Sequence, residues 1–281
     1  MRMTTSIKTI LTLAMACALF GAGCLDVTIQ PKPTIKPGIN SPFPTATSTA
    51  TDAPVILPDN LAFRTVTYPD GRTVSFALAK MPYDKYRFAL ANDPAAPKTV
   101  AAWRDKLGAS MVINGSYFSE DMKPSGYYRL DGKAYGNWPN TERQHEKTAY
   151  TGMVRIRDGR LALIHLVDDP QPTPDGTDQT LLTFPTLVAN GVALVESDTQ
   201  KYARRTALAT AADGMTYVIV TQSGAVSLRE LADWLANQPE KFRIAVNLDG
   251  GPSTGMSFAS GTSAFEEPSA PIPNVVAAYP K

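Results

Sequence analysis

The sequence predicts an α+β fold over residues 60–281: a mixed β-sheet rich in hairpins, with a few packed helices. Three features predict it. Asp-Gly and Asn-Gly turns recur between short alternating apolar runs, two stretches carry helical spacing, and each of those is followed by a short apolar strand. Of the 281 residues, 43% are hydrophobic and 19% charged, a composition that can bury a full core.

The elements follow in order. Residues 65–68 and 73–78 alternate and flank Pro69-Asp70-Gly71. A helix from Val100 to Leu107 stops at Gly108, and residues 111–113 then read as a buried strand. Residues 128–130 lead into Asp131-Gly132, and residues 153–156 and 161–166 flank Asp158-Gly159. Residues 186–189 and 192–195 flank Asn190-Gly191; residues 207–210 and 216–221 flank Asp213-Gly214. Such dipeptides supply the positive φ angles of tight hairpins. Ser227-Leu228-Arg229-Glu230 is a capping box, in which the Ser and Glu side chains satisfy free amides. It opens a helix whose Leu228, Leu231 and Leu235 share one face, with Trp234 beside them. Strand 216–221, this helix and strand 244–248 form a βαβ crossover, which makes the two strands parallel.

Ahead of this domain, residues 1–23 read as an export signal. Arg2 and Lys8 supply positive charge, residues 10–20 are apolar, and Gly21-Ala22-Gly23 offers small residues before a cut. The apolar run is short of the roughly 20 residues that span a bilayer. The only cysteines are Cys17 and Cys24, so cleavage before Cys24 leaves one thiol and no internal disulfide. The segment resembles a bacterial lipoprotein signal, except for Gly21 where Leu is usual. That resemblance implies a lipid on Cys24 and a chain anchored to a membrane of the cell envelope, on its periplasmic or extracellular face. Residues 24–59 are rich in Pro, Thr and Ser, with few apolar groups to offset chain entropy, and read as a tether. The net charge of +1, without any long block of like charge, argues against nucleic acid as a partner.

Two loops carry the chemistry. Val112-Ile113-Asn114-Gly115-Ser116-Tyr117-Phe118 and Val246-Asn247-Leu248-Asp249-Gly250-Gly251-Pro252-Ser253 both follow apolar strands. Polar groups at the ends of buried strands are held rigidly, as a site requires. Gly250 and Gly251 let a ligand approach the backbone and can turn amides toward an anion, with the Asp249 carboxylate beside them. Spacing alone leaves open that these are only a turn and a cap.

Both loops resemble the signature loops of the phosphodiester glycosidase family, and other pieces fall in the family's order. They are Pro185-Thr186-Leu187-Val188-Ala189-Asn190-Gly191, Arg205-Thr206-Ala207, the capped helix and Pro271-Ile272-Pro273-Asn274-Val275. Pro252 and Ala209 depart from the family, which commonly has Gly at each. Pro252 also removes an amide from the loop. The resemblance implies an enzyme that cuts a sugar from a phosphodiester at its anomeric carbon, with an envelope glycan or exopolysaccharide as substrate.

Such a reaction needs little general acid, because phosphate leaves readily. Its charge must still be held, and an oxocarbenium-like sugar must be stabilised and attacked. A guanidinium matches phosphate oxygens, which points to Arg205 with Arg204 beside it. Asp249 is the carboxylate expected as nucleophile or as base for water. Glu120, Asp121 and Glu196 are candidate second carboxylates. Asn114 and Asn247 are expected to bind sugar hydroxyls or orient the carboxylate, Ser253 to donate to phosphate, and Tyr117 and Phe118 to stack on sugar or pack in the core. No cofactor is required, although Asp249 with Glu120 or Asp121 could hold a divalent cation through oxygen. The histidines are His145, in a polar loop, and His165, an ordinary strand residue, and no His or Cys cluster suits zinc.

Two other readings compete. Gly251-Pro252-Ser253-Thr254-Gly255 fits the nucleophile elbow of serine hydrolases, but no histidine follows Ser253 and residues 255–258 read as a strand rather than a helix. A non-catalytic polysaccharide-binding lipoprotein would instead present Tyr127, Tyr128, Tyr135 and Trp138 as exposed aromatic platforms.

Overall fold

The computed structural model describes residues 58–281 apart from 139–149, 172 and 175. The export signal, Cys24, nearly all of the tether and His145 lie outside the described residues. Strands β1 (Leu61–Thr67), β2 (Thr73–Met81) and β3 (Tyr86–Asn92) precede helix α1 (Val100–Leu107). Strands β4 (Met111–Asn114), β5 (Tyr128–Leu130), β6 (Lys133–Tyr135), β7 (Gly152–Arg157), β8 (Arg160–His165) and β9 (Gln179–Thr183) come next. Strands β10 (Thr186–Ala189), β11 (Val192–Ala193), β12 (Thr206–Ala211) and β13 (Thr216–Ser223) lead to helix α2 (Leu228–Ala236). Strands β14 (Phe242–Asn247), β15 (Met256–Ser260), β16 (Ser263–Glu267) and β17 (Asn274–Pro280) complete the order.

Three sheets result: β1-β2-β13-β12-β14-β10-β11, then β16-β15-β4-β17-β3, and β6-β5-β9-β7-β8. Every ladder between these strands is antiparallel. The fold is therefore nearly all β: the hairpins and the few packed helices that the sequence predicts are present, but its α+β class with a mixed sheet gives way to antiparallel sheets. Strands β13 and β14 do run parallel, but β12 lies hydrogen-bonded between them. Because β12 and β13 pair as a hairpin, α2 carries the chain past β12 before β14 joins the sheet on its other side.

Local chemistry explains the elements. The turns Asp131-Gly132, Asp158-Gly159 and Asn190-Gly191 have positive φ at both residues, as two-residue hairpins need. Helix α1 is capped by the Thr99 side chain, which accepts from the Ala102 amide, and ends at Gly108 with φ of 60°. Helix α2 has the full Ser227–Glu230 capping box. It buries Leu231, Ala232 and Leu235, while Trp234 stacks on Phe76 at 4.1 Å. Each buried leucine contributes about 1.5–3 kcal/mol of apolar transfer. One core draws Leu208 and Val246 from the first sheet, Ile113, Phe258 and Val276 from the second, and Val154 and Leu181 from the third.

Candidate active site

The ends of β4 and β14, which belong to different sheets, meet and bind one another. The Asp249 amide donates to the Gly115 carbonyl at 3.1 Å. In return the Asn114 Nδ2 donates to the Asp249 carbonyl at 2.7 Å. Asn114 is 1% exposed, and its Oδ1 accepts from the Thr206 hydroxyl at 2.7 Å and the Gly255 amide at 3.2 Å. With three internal partners, Asn114 holds the backbone under Asp249 and is not open to a sugar. Gly115 is required here, because a Cβ would lie 2.1 Å from the Asn274 Oδ1. That oxygen accepts from the Ser116 amide at 2.7 Å, so Asn274 pins the first loop.

Arg204 and Arg205 precede β12 and point to opposite sides of an extended chain. Arg204 pairs with Glu267 at 2.6 Å and also donates to the Thr254 carbonyl. It is thus a bolt to the second sheet and not a phosphate ligand. Arg205 donates from Nε to the Val226 carbonyl at 3.2 Å and from one terminal nitrogen to the Lys201 carbonyl at 2.6 Å. Among the described residues it forms no ion pair. Burial pulls its pKa below the ordinary value of 12.5, against the opposing pull of Tyr117 and Asp249.

Asp249 is half-buried, and burial lifts its carboxyl above the usual 3.8. The Ser253 hydroxyl, the Gly250 amide and the Arg205 charge act against that rise. Asp249 and Arg205 therefore share one electrostatic neighbourhood without touching as a salt bridge. Tyr117 is the third member. Its hydroxyl donates to the Phe184 carbonyl and accepts from the Asn247 Nδ2. Burial first, and the Asp249 charge second, push its pKa well above 10. Asn247 is 1% exposed and also donates to Phe184, yet its buried Oδ1 has no hydrogen-bond partner among the described residues.

Several expected roles change. No anion nest forms at Gly250 and Gly251. The Gly250 amide donates to the Asp249 carboxylate at 2.8 Å, the Gly251 amide to the Arg204 carbonyl at 2.8 Å, and Pro252 has none. The Ser253 hydroxyl serves Asp249 rather than a phosphate, and β15 follows it where a nucleophile elbow needs a helix. Glu120, Asp121 and Glu196 are exposed, and Asp121 pairs with Lys123 and accepts from Ser119. Among the described residues no three His, Cys, Asp or Glu side chains gather as a cation would need. Tyr127 and Tyr128 are 4% and 0% exposed, and Trp138 packs edge-on against Tyr127, so these rings offer no glycan platform. Phe118 packs against the α1 cluster, and the His165 Nδ1 lies 3.0 Å from the Thr186 hydroxyl.

The residues missed by sequence reasoning are Thr206, Asn274 and Gly255. All three lie in or beside quoted segments, but their service to Asn114 and to the first loop spans 92 to 158 positions along the chain.

A family model described as phosphodiester glycosidase matches residues 107–279, which include both loops and Arg205. The chain belongs to the phosphodiester glycosidase family. It is accordingly a hydrolase, a glycosidase acting on phosphodiester-linked sugars. The glycosidase fold recurs in the catalytic domain of zebrafish N-acetylglucosamine-1-phosphodiester alpha-N-acetylglucosaminidase, described as auto-inhibited by its pro-peptide. The likeness covers 83% of this chain and 86% of that one, at 18% identity and a TM-score of 0.59. A hypothetical protein from Synechocystis is similar over 79% of this chain and 62% of its own, at 15% identity and a TM-score of 0.49. A putative exported protein from Burkholderia pseudomallei is similar over 74% of each chain, at 13% identity and a TM-score of 0.45. Among curated proteins no sequence match was found.

Proposed function

We propose that this phosphodiester glycosidase hydrolyses a sugar-1-phosphodiester to free sugar and phosphomonoester, with Arg205 holding the phosphate and Asp249 acting at the anomeric carbon. One observation carries the reading: a largely buried guanidinium that forms no ion pair among the described residues stands in the field of a half-buried carboxylate whose pKa is raised. A buried cation lacking a counter-ion is costly, and an incoming phosphodiester supplies the missing negative charge.

In the reaction, the guanidinium engages non-bridging phosphate oxygens. The bond from the anomeric carbon to the bridging oxygen breaks, and its electron pair remains on the phosphate. The Asp249 carboxylate attacks the anomeric carbon and water then hydrolyses the resulting glycosyl ester, or the carboxylate takes a proton from a water that attacks that carbon in a single step; either route ends in free sugar. Ser253 and the Gly250 amide hold that carboxylate in place. Asn247, buried and bonded to the Tyr117 hydroxyl and the Phe184 carbonyl, fixes the orientation of Tyr117 beside the carboxylate. Tyr117, kept neutral by its raised pKa, is the aromatic body beside it.

The substrate of this reading is an envelope glycan or exopolysaccharide joined through phosphate. A lipid on Cys24 and the tether would hold the domain at a membrane, within reach of such polymers. Purified protein incubated with a panel of sugar-1-phosphodiesters should release free sugar and phosphomonoester. Asp249→Asn and Arg205→Ala should each lower kcat/KM by about 100-fold or more, while Ser253→Ala, which removes one of two supports of the carboxylate, should lower it less than either. No release from any panel member, or full activity in Asp249→Asn, overturns the assignment; loss confined to Ser253→Ala would favour a serine hydrolase. For the anchor, Cys24→Ser should shift the protein from the membrane fraction to the soluble one.

A further inference from the structure

A cluster of arginines surrounds the far end of the β7–β8 hairpin. Three hollows wrap the tip of the β7–β8 hairpin and share its residues. One of about 370 Å³ is lined by Arg87, Phe88, Asp158 and Gly159 among others. A second of about 500 Å³ is lined by Arg155, Arg157, Asp158, Arg160 and Ala162. A third of about 230 Å³ carries Tyr83, Tyr86, Gly159 and Arg160. Each is shallow, and each shares lining residues with the other two, Asp158, Gly159 and Arg160 among them, so that they ring the tip as a grooved surface rather than a drug-sized pocket.

Its chemistry is lopsided. Four arginines and one aspartate line it, in a chain whose net charge is only +1. Arg157 pairs with Asp178 at 2.5 Å. Arg87, Arg155 and Arg160 form no ion pair among the described residues; Arg155 donates to the Gln171 side chain, and Arg87 lies over the Tyr279 ring. The register places the charges in a row: Arg155 faces Ala162 on β8 and Thr180 on β9, which in turn faces Arg129 on β5. Thr180 is 0% exposed, and neither its hydroxyl nor the buried Arg129 Nε has a hydrogen-bond partner among the described residues. At one end stands Tyr83, 56% exposed, with the Arg160 guanidinium 5.9 Å from its ring. Guanidinium forks suit phosphate oxygens and an exposed phenol suits a sugar face, a combination that a phosphate-bearing glycan satisfies.

The groove is remote from Asp249. Gly152, at the start of β7, borders Thr183, Thr186 and Val246 beside the Asn247 loop. Arg157 ends the same strand five residues on, about 16 Å away at ~3.3 Å per residue. Phe88 likewise pairs with Ala278, whose other neighbour is Met111, at the end of β4 away from Asn114.

We propose that this groove is a secondary binding surface for a glycan chain bearing phosphodiesters, which holds a polymer while a distant linkage occupies the Asp249 site. Its existence does not depend on Asp249 being the catalytic carboxylate. The test uses the full chain and titrates phosphomannan, the same mannan stripped of phosphate, and vesicles containing phosphatidylglycerol. Phosphomannan should bind at least tenfold more tightly than the stripped polymer, with an affinity that weakens as salt rises. The double variant Arg155→Gln, Arg160→Gln and the single variant Tyr83→Ala should each weaken that binding fivefold or more. Both should keep wild-type turnover of a small sugar-1-phosphodiester, and Asp249→Asn should bind phosphomannan as wild type does. Should the double variant misfold, Arg160→Gln alone, an exposed hairpin-tip change, replaces it. Equal affinity for the two mannans, wild-type binding by the variants, or variant-sensitive binding to the vesicles alone overturns the proposal.

Discussion

Replacing Asn114 with Ala removes the joint between the two loops, and its cost can be worked from the contacts. The side chain is 1% exposed and makes three hydrogen bonds: to the Asp249 carbonyl, from the Thr206 hydroxyl and from the Gly255 amide. Alanine leaves those three groups without their partner in a buried place, where each unmade bond costs about 1 kcal/mol or more. The expected loss is therefore about 3 kcal/mol, a large part of the ~5–15 kcal/mol that holds a domain together. For a domain of this size, that lowers Tm by roughly 6–12 °C. Thermal denaturation followed by circular dichroism measures it. Combining the change with Thr206→Val should give less than the sum of the two, by about 1 kcal/mol, because both delete one shared bond. Turnover should fall as well, with kcat more affected than KM, since the backbone beneath Asp249 loses its anchor. A destabilisation under about 1 kcal/mol, or strict additivity with Thr206→Val, would refute the idea that Asn114 is the joint.

Other outcomes follow from the same geometry. Burial raises the Asp249 pKa above 3.8, so the folded chain holds that proton more tightly than the unfolded chain, and stability falls as pH rises from 3.8 through the folded value. Asp249→Asn should therefore be more stable than wild type at pH 7, with the gap closing toward pH 3.8; urea titrations at both pH values would expose an opposite trend. Gly115→Ala drives a methyl to 2.1 Å from the Asn274 Oδ1 and 3.1 Å from its backbone. It should cost about 3 kcal/mol or abolish soluble expression, and a Tm within 2 °C of wild type would contradict the close approach. Arg204→Ala leaves the Glu267 carboxylate, 12% exposed, without its cation. The expected cost is about 2 kcal/mol after allowing for the partial exposure of Arg204, and adding Glu267→Gln should recover most of it.

The hairpins were legible because they are local. Asp131-Gly132, Asp158-Gly159 and Asn190-Gly191 take their positive φ from neighbours in sequence, and the Ser227–Glu230 capping box closes within four residues. Strand partners beyond the hairpins were not legible. Nothing around residues 216–248 signals that β12 will lie between β13 and β14, since that choice is made by which faces bury together.

The same division runs through the site. Spacing alone left Asp249 open as a turn residue, and it was the resemblance of the two loops and of Arg205-Thr206-Ala207 to the family's segments that singled out Asp249 and Arg205. The linear reading preferred Arg205 but had no role for Arg204 beyond being its neighbour. Packing supplied one, by turning Arg204 onto Glu267 and leaving Arg205 without an ion pair among the described residues. Nor could the linear reading show that the Gly250 and Gly251 amides are consumed internally, or that Asn114 faces three buried partners rather than a sugar. Turn propensity and capping act over a few bonds and are written in order along the chain. Burial, ion pairing and hydrogen-bond satisfaction depend on which distant segments share a volume, and only the assembled sheets decide that.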